Sequence, residues 1–331
     1  MSDKRAIRLR RLFAYLALAV CGALAFRPIP SLLDSNDTGR YVAFQEDACQ
    51  SSVSDDDAGV QQWTFDLLAR PACWSGGPKL FLLLVSGALP IAFIVFGDWK
   101  AEGALLLAAG LLLSVVGFEL ATNAMRQAVS LVFLLAAISL DNKIGRLLAL
   151  CIAVLLHVSN LIFVPWAFLL NREESNTPKL KPYMLVLVVL AAAIGWNYFK
   201  ADITDQIYSG TTLLQAFQDI YEEPMSPGFL LFMLFPVCWV FGVRWFRSEV
   251  PMPRSEKLTF CYSAAIIALT IAFFPMITYR VAMTAAVLQI FLAMRAVDLS
   301  FGSGAWISTG LAGHFLIYAL VSQNVRAVLH V

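Results

Sequence analysis

Residues 118–170 read FELATNAMRQAVSLVFLLAAISLDNKIGRLLALCIAVLLHVSNLIFVPWAFLL, and most of this stretch is apolar enough for lipid. Set into it are Glu119, Asn123, Arg126, Gln127, His157 and Asn160. An ionisable side chain at membrane depth costs roughly 2.5–3.5 kcal/mol on insertion scales and marks a functional site by default. Positions 119, 123, 126 and 127 are spaced i, i+4, i+7 and i+8, which on a continuous helix puts them on one face. The expectation is a polar stripe within a membrane protein.

The rest of the chain agrees with that setting. Its 331 residues are 59% hydrophobic and 14% charged, with mean hydropathy +0.72. This composition describes an all-α, polytopic membrane protein forming a single integral membrane domain over 1–331. The net charge of +1 favours no particular partner beyond the lipid bilayer, and no nucleic acid is expected. A basic start, MSDKRAIRLRR, precedes an apolar run over 12–26. Ala23-Leu24-Ala25 imitates a signal-peptide cleavage site, but a retained first span suits so polytopic a chain better. Further apolar runs fall at 79–96, 103–120, 126–140, 145–170, 183–199, 228–243, 258–275, 277–294 and 304–322.

Lys and Arg decide the topology. If every run crosses once, the 24 cations divide 11 inside and 13 outside, which is no bias. If 145–170 is a re-entrant hairpin bending near His157-Val158-Ser159-Asn160, the division becomes 16 inside and 8 outside. The expected architecture is therefore about nine to ten transmembrane helices plus a re-entrant helical hairpin at 145–170, with the N-terminus in the cytoplasm. Arms of about 12 residues reach roughly 18 Å, so the bend lies past mid-membrane. Polar backbone there must line a cavity or be buried in protein. The loops 27–78 and 200–227 then face outside, the first with Val60, Trp63, Leu67 and Leu68 and the second with Leu213, Leu214, Phe217, Ile220 and Tyr221 at helical spacing, as in interfacial helices. Inside loops of about 15 residues are too short for a nucleotide-binding domain, and no P-loop is present.

Four groups converge on the outer leaflet: Asp37 with Arg40 and Tyr41, Glu119 with Arg126, His157, and Arg280. Guanidinium forks bind phosphate oxygens in pairs, so Arg126 and Arg280 suit a diphosphate. Snorkelling, or a structural pair of Arg126 with Glu119, is the plain alternative. His157 suits a proton acceptor or donor near neutral pH, or a merely satisfied buried histidine. Asp37 could activate a hydroxyl or end a loop turn. Asp55-Asp56-Asp57 reads better as a solvated charge run than as a cation site, and no metal or cofactor is expected. Cys21, Cys151, Cys238 and Cys261 lie in apolar runs, whereas Cys49 and Cys73 flank the polar loop. Those two could pair in an oxidising compartment or stay free. HExxH, GxSxG and CxxC motifs are absent.

The order of these residues resembles a known family. A short first span is followed by Asp-x-x-x-Tyr (Asp37, Tyr41) and by Asn-x-x-Arg-Gln (Asn123, Arg126, Gln127). Then come a cationic turn from Asp141 to Arg146, His-x-Ser with a later proline (His157, Ser159, Pro165), and Tyr-Arg opening a late span (Tyr279, Arg280). The pattern is similar to the EpsG family of Wzy-like polysaccharide polymerases. The resemblance implies a GT-C-like membrane glycosyltransferase of the bacterial inner membrane, working at its periplasmic face. Such enzymes join polyprenyl-diphosphate-linked oligosaccharide repeat units into O-antigen, capsule or exopolysaccharide. It implies catalytic roles among His157, Asp37 and Glu119, and substrate binding by Arg126, Arg280, Tyr41, Asn123 and Gln127. A chain-length regulator is a possible partner. The other readings are an O-antigen ligase and a flippase or transporter of the lipid-linked oligosaccharide.

Overall fold

Every residue from Val281 to Met294 is buried, and the molecule is arranged around this segment. A helix apolar on all sides belongs inside a bundle. The computed structural model describes residues 3–27, 38–50, 69–74, 77–172, 227–247, 252–273, 275–296 and 299–322. In chain order the helices are α1 (Asp3–Phe26), α2 (Thr38–Gln50), α3 (Gly77–Phe96), α4 (Ala104–Leu112), α5 (Val115–Thr122), α6 (Met125–Ser139) and α7 (Lys143–Leu156). A 3₁₀ segment (Val158–Phe163) follows, then α8 (Val164–Arg172), α9 (Pro227–Arg247), α10 (Arg254–Phe273), α11 (Pro275–Arg295) and α12 (Phe301–Val321). The buried segment is the body of α11. The protein is an all-helical, polytopic membrane protein.

Among the described residues, α1, α3 and α12 are long and apolar enough to span a bilayer, and the α4–α5 pair makes a fourth. Helices α9, α10 and α11 have similar lengths, with 21, 20 and 21 residues. The expected span at 183–199 and the segment 200–227 up to Ser226 lie outside the described residues, as do 28–37 and most of the loop to 68. The α4–α5 pair is bent by 54°. Ser114 makes the bend: its hydroxyl donates to Leu111 O (2.6 Å) and accepts from Gly117 N (3.0 Å), capping α5. A Cβ on Gly117 would sit 2.1 Å from Leu111 O, so only glycine allows the backbones this close.

Side-chain contacts fix the direction of each helix. At one end, called the lower end, Arg5 pairs with Glu102 (2.9 Å), Gly103 N meets Leu299 O (3.1 Å) and Arg295 donates to Ile138 O (3.3 Å). At the upper end Tyr318 meets Glu119 (2.7 Å) and Thr38 meets Thr122 O (2.8 Å). Helices α6 and α11 run parallel, since Gln127 meets Arg280 above and Ile138 meets Arg295 below. The chain climbs through α7, with Asn142 capping its start (Ile144 N to Oδ1, 3.1 Å), and reaches His157 beside Arg280. It then descends along α10: Tyr262 donates to Ile162 O, and Trp166 Nε1 reaches Thr259 Oγ1 (2.9 Å) one turn lower. The chain thus rises to a tip at His157 and turns back toward the lower end, the path that a hairpin at 145–170 would take. Its rising arm of 14 residues spans about 21 Å.

Candidate functional site at the upper end of the bundle

Glu119, Asn123, Arg126 and Gln127 do not share one continuous helix, which corrects the expectation from spacing. Helix α5 ends at Thr122, and α6 starts at Met125. The break has no proline or glycine, and local hydrogen bonds account for it. Glu119 O accepts from both Asn123 N (2.8 Å) and Ala124 N (2.7 Å), and the second, wider bond ends the regular helix. Glu119 Oε2 accepts from Asn123 Nδ2 (3.0 Å), and Oε1 accepts from Tyr318 Oη (2.7 Å). Sequence reading paired this carboxylate with Arg126. The structure gives it Asn123 and Tyr318 as partners, and it is only 3% exposed. Tyr318 lies 199 residues away and nothing local in the sequence points to it.

Arg126 stands at the first turn of α6, half-buried. Its backbone N–H, unsatisfied within a helix start, faces Tyr41 Oη at 3.5 Å. Tyr41 belongs to α2, a short amphipathic helix held on the upper end by residues that sequence reading missed. Thr38, fully buried, donates to Thr122 O (2.8 Å) and accepts from Arg27 Nη2 (2.7 Å), while Arg27 Nη1 closes on Leu24 O (2.7 Å) at the end of α1. The only hint in the sequence is that Arg27 directly follows the first apolar run. Asp37, the residue before Thr38, lies outside the described residues.

Arg280 and His157 meet across the bundle. Arg280 Nη1 is 3.3 Å from His157 Nε2, and Arg280 Nε donates to Tyr279 Oη (2.6 Å). A guanidinium only donates, so Nε2 accepts and the ring proton sits on Nδ1 of a neutral imidazole. His157 has extended backbone (φ −153°, ψ 105°) because it ends α7 and opens the 3₁₀ segment. Asn160, fully buried, anchors the tip through Nδ2 to Ser130 Oγ (2.8 Å) on α6. Gln127, also fully buried, donates from Nε2 to Arg280 O (2.6 Å) and Thr284 Oγ1 (2.8 Å). Arg126, His157 and Arg280 are therefore gathered at one end of the bundle with Tyr41, Glu119, Asn123 and Gln127 around them. Such a group can bind and neutralise an anion near the membrane surface. Among the described residues no three His, Cys, Asp or Glu side chains form a metal-ligating set.

Cys49, on α2, and Cys73 form a disulfide with Cα atoms 5.6 Å apart. It ties the end of α2 to the 69–74 helical turn just before α3. In denaturant without reductant, four thiols (Cys21, Cys151, Cys238 and Cys261) should react with a maleimide-PEG, and six after reduction. Breaking the bond across 24 residues should cost about 3 kcal/mol and speed proteolysis of α2. Labelling of six thiols without reductant would refute the pairing.

The sequence profile of the EpsG family matches residues 36–322 of the chain. No curated protein and no solved structure matches it.

Proposed function

We propose, from the premise that this chain belongs to the EpsG family, that it is a polysaccharide polymerase of the bacterial inner membrane. Membership supports a polymerase-like role. The chain joins oligosaccharide repeat units carried on polyprenyl diphosphate, at the periplasmic face, with its N-terminus in the cytoplasm. The observation that supports this reading is the contact of Arg280 with His157, with Arg126 at the same end of the bundle beside Gln127, which is bonded to Arg280 O. The Cys49–Cys73 disulfide supports placing that end in an oxidising compartment.

In the proposed reaction a hydroxyl of the acceptor glycan attacks the anomeric carbon of the donor. A new C–O bond forms, the bond from that carbon to the diphosphate breaks, and polyprenyl diphosphate leaves with the electron pair. Arg126 and Arg280 stabilise the charge that develops on the leaving group. His157, with Nε2 engaged by Arg280, holds that guanidinium in place. The hydroxyl proton goes to a base. Glu119 is enclosed and bonded to Asn123 and Tyr318, so we assign the proton to Asp37. Tyr41 and Asn123 border the glycan.

The experiment is reconstitution of the full chain in proteoliposomes with a lipid-linked repeat unit from the host strain. A ladder of lengthened, lipid-linked glycan is expected. Transfer of a single unit to lipid A-core would favour a ligase instead, and movement of unchanged units across the bilayer would favour a flippase.

A further inference from the structure

The two arginines come from helices more than 150 residues apart in sequence, yet hydrogen bonds lock their backbones together in a closed ring. Gln127, the neighbour of Arg126, donates to the carbonyl of Arg280 itself (2.6 Å). The carbonyl of Gln127 accepts from Ser130 Oγ (2.7 Å), and Ser130 Oγ accepts from Asn160 Nδ2 (2.8 Å). Asn160 N donates to His157 O (3.0 Å), and His157 Nε2 meets Arg280 Nη1 (3.3 Å). The circuit runs through α6, the hairpin tip and α11 and returns to the residue where it began. Gln127, Ser130 and Asn160 are fully buried, so none of them can be reached by a lipid-linked sugar.

Gln127 shows one further peculiarity. Both Nε2 hydrogens are used, on Arg280 O and Thr284 Oγ1, but Oε1 is buried without a partner. An unsatisfied buried carbonyl costs roughly 1–3 kcal/mol. A methionine of the same length would avoid that cost. The amide earns its place only through what Nε2 holds.

We propose that Gln127 is a positioning residue that sets the spacing of the Arg126 and Arg280 guanidiniums, so that they grip both phosphates of a diphosphate at once and reject a monophosphate. The proposal rests on the polymerase reading for the identity of the lipid, and its test uses binding alone. A pair of charged forks held at fixed separation rewards a ligand with two phosphates; the same forks on loosened helices each bind one phosphate as well as before.

The probes are polyprenyl diphosphate and polyprenyl monophosphate, both without sugar, titrated against the purified full chain in nanodiscs. The wild type should favour the diphosphate by at least about tenfold, and Gln127→Met should reduce that ratio to about twofold or less while monophosphate affinity and melting temperature stay within the scatter of the wild type. Ser130→Ala cuts the ring elsewhere and should lower the ratio in the same direction, which serves as the second variant if Gln127→Met does not fold. Equal weakening of both lipids in both variants would assign Gln127 a purely structural role and overturn the proposal. An unchanged ratio in both variants, or a wild type with no diphosphate preference, would do the same. A wild type that shows the preference, loses it in the variants and yet never lengthens a glycan would leave the spacing role standing and remove the polymerase reading.

Discussion

Arg280→Ala should stop glycan extension, leaving single repeat units on the lipid carrier while the protein stays in the membrane at normal abundance. Removing one preorganised donor aimed at developing charge costs about 10²–10³ in rate, enough to collapse a ladder to its first rung. Arg126→Ala should do the same. Arg280→Lys should rescue little. The guanidinium spends Nε on Tyr279 and Nη1 on His157, and an ammonium has no rigid fork to hold two protein partners and a phosphate together. His157→Gln, which keeps an acceptor for Nη1, should lose less than His157→Ala. The measurement is the length distribution of lipid-linked glycan in membranes of equal protein content. Ladders of wild-type length from either alanine variant would remove the arginines from the proposed mechanism. A His157→Gln variant as inactive as His157→Ala would point to proton transfer by the ring.

How far these side chains were legible in the sequence depends on how local their partners are. A turn near His157 could be read because lipid imposes a global rule on cations, and sixteen inside against eight outside favoured a hairpin over a single crossing at 145–170. The polar residues of 119–127 could be read because lipid makes them conspicuous. The break between α5 and α6 could not. Thr122, Asn123, Ala124 and Met125 carry no proline or glycine, and the chain is turned by Glu119 O accepting two amides and by Tyr41 covering Arg126 N. Tyr41 is 85 residues away and Tyr318 is 199 residues from Glu119, distances over which one sequence gives no pairing information. Arg27 and Thr38 were missed for the same reason. Their targets include backbone carbonyls, Thr122 O for Thr38 and Leu24 O for Arg27, which have no signature in sequence. The cysteines were half-legible: position singled out Cys49 and Cys73, and only the packing of α2 brings them together.

The second large effect lies at the opposite end of the bundle. Arg244, near the end of α9, forms a two-point pair with Glu256 in the first turn of α10: Nε to Oε2 at 3.0 Å and Nη2 to Oε1 at 2.9 Å. Their side chains are 0% and 1% exposed. Two charges taken out of water are tolerable only as a pair, and removing one leaves the other uncompensated, at about 3–5 kcal/mol. Arg244→Ala and Glu256→Ala should each lower stability by that amount in detergent, read as a fall in the denaturation midpoint and in membrane abundance. The double variant Arg244→Met with Glu256→Leu should recover most of the loss, since well-packed apolar residues often replace a buried pair at no net cost. A single variant that unfolds like the wild type would mean that water reaches the pair. The damage should also travel to the upper end. Helix α9 carries Phe232, whose ring stacks on Tyr318 (centroids 5.3 Å), and Tyr318 holds Glu119. Helix α10 carries Thr259 and Tyr262, which hold the descending arm of the hairpin and so the position of His157. Glycan length should therefore shorten in the single variants even at matched protein level and return in the apolar double variant. A direct chemical role for either charge predicts the reverse, with the double variant as inactive as the singles.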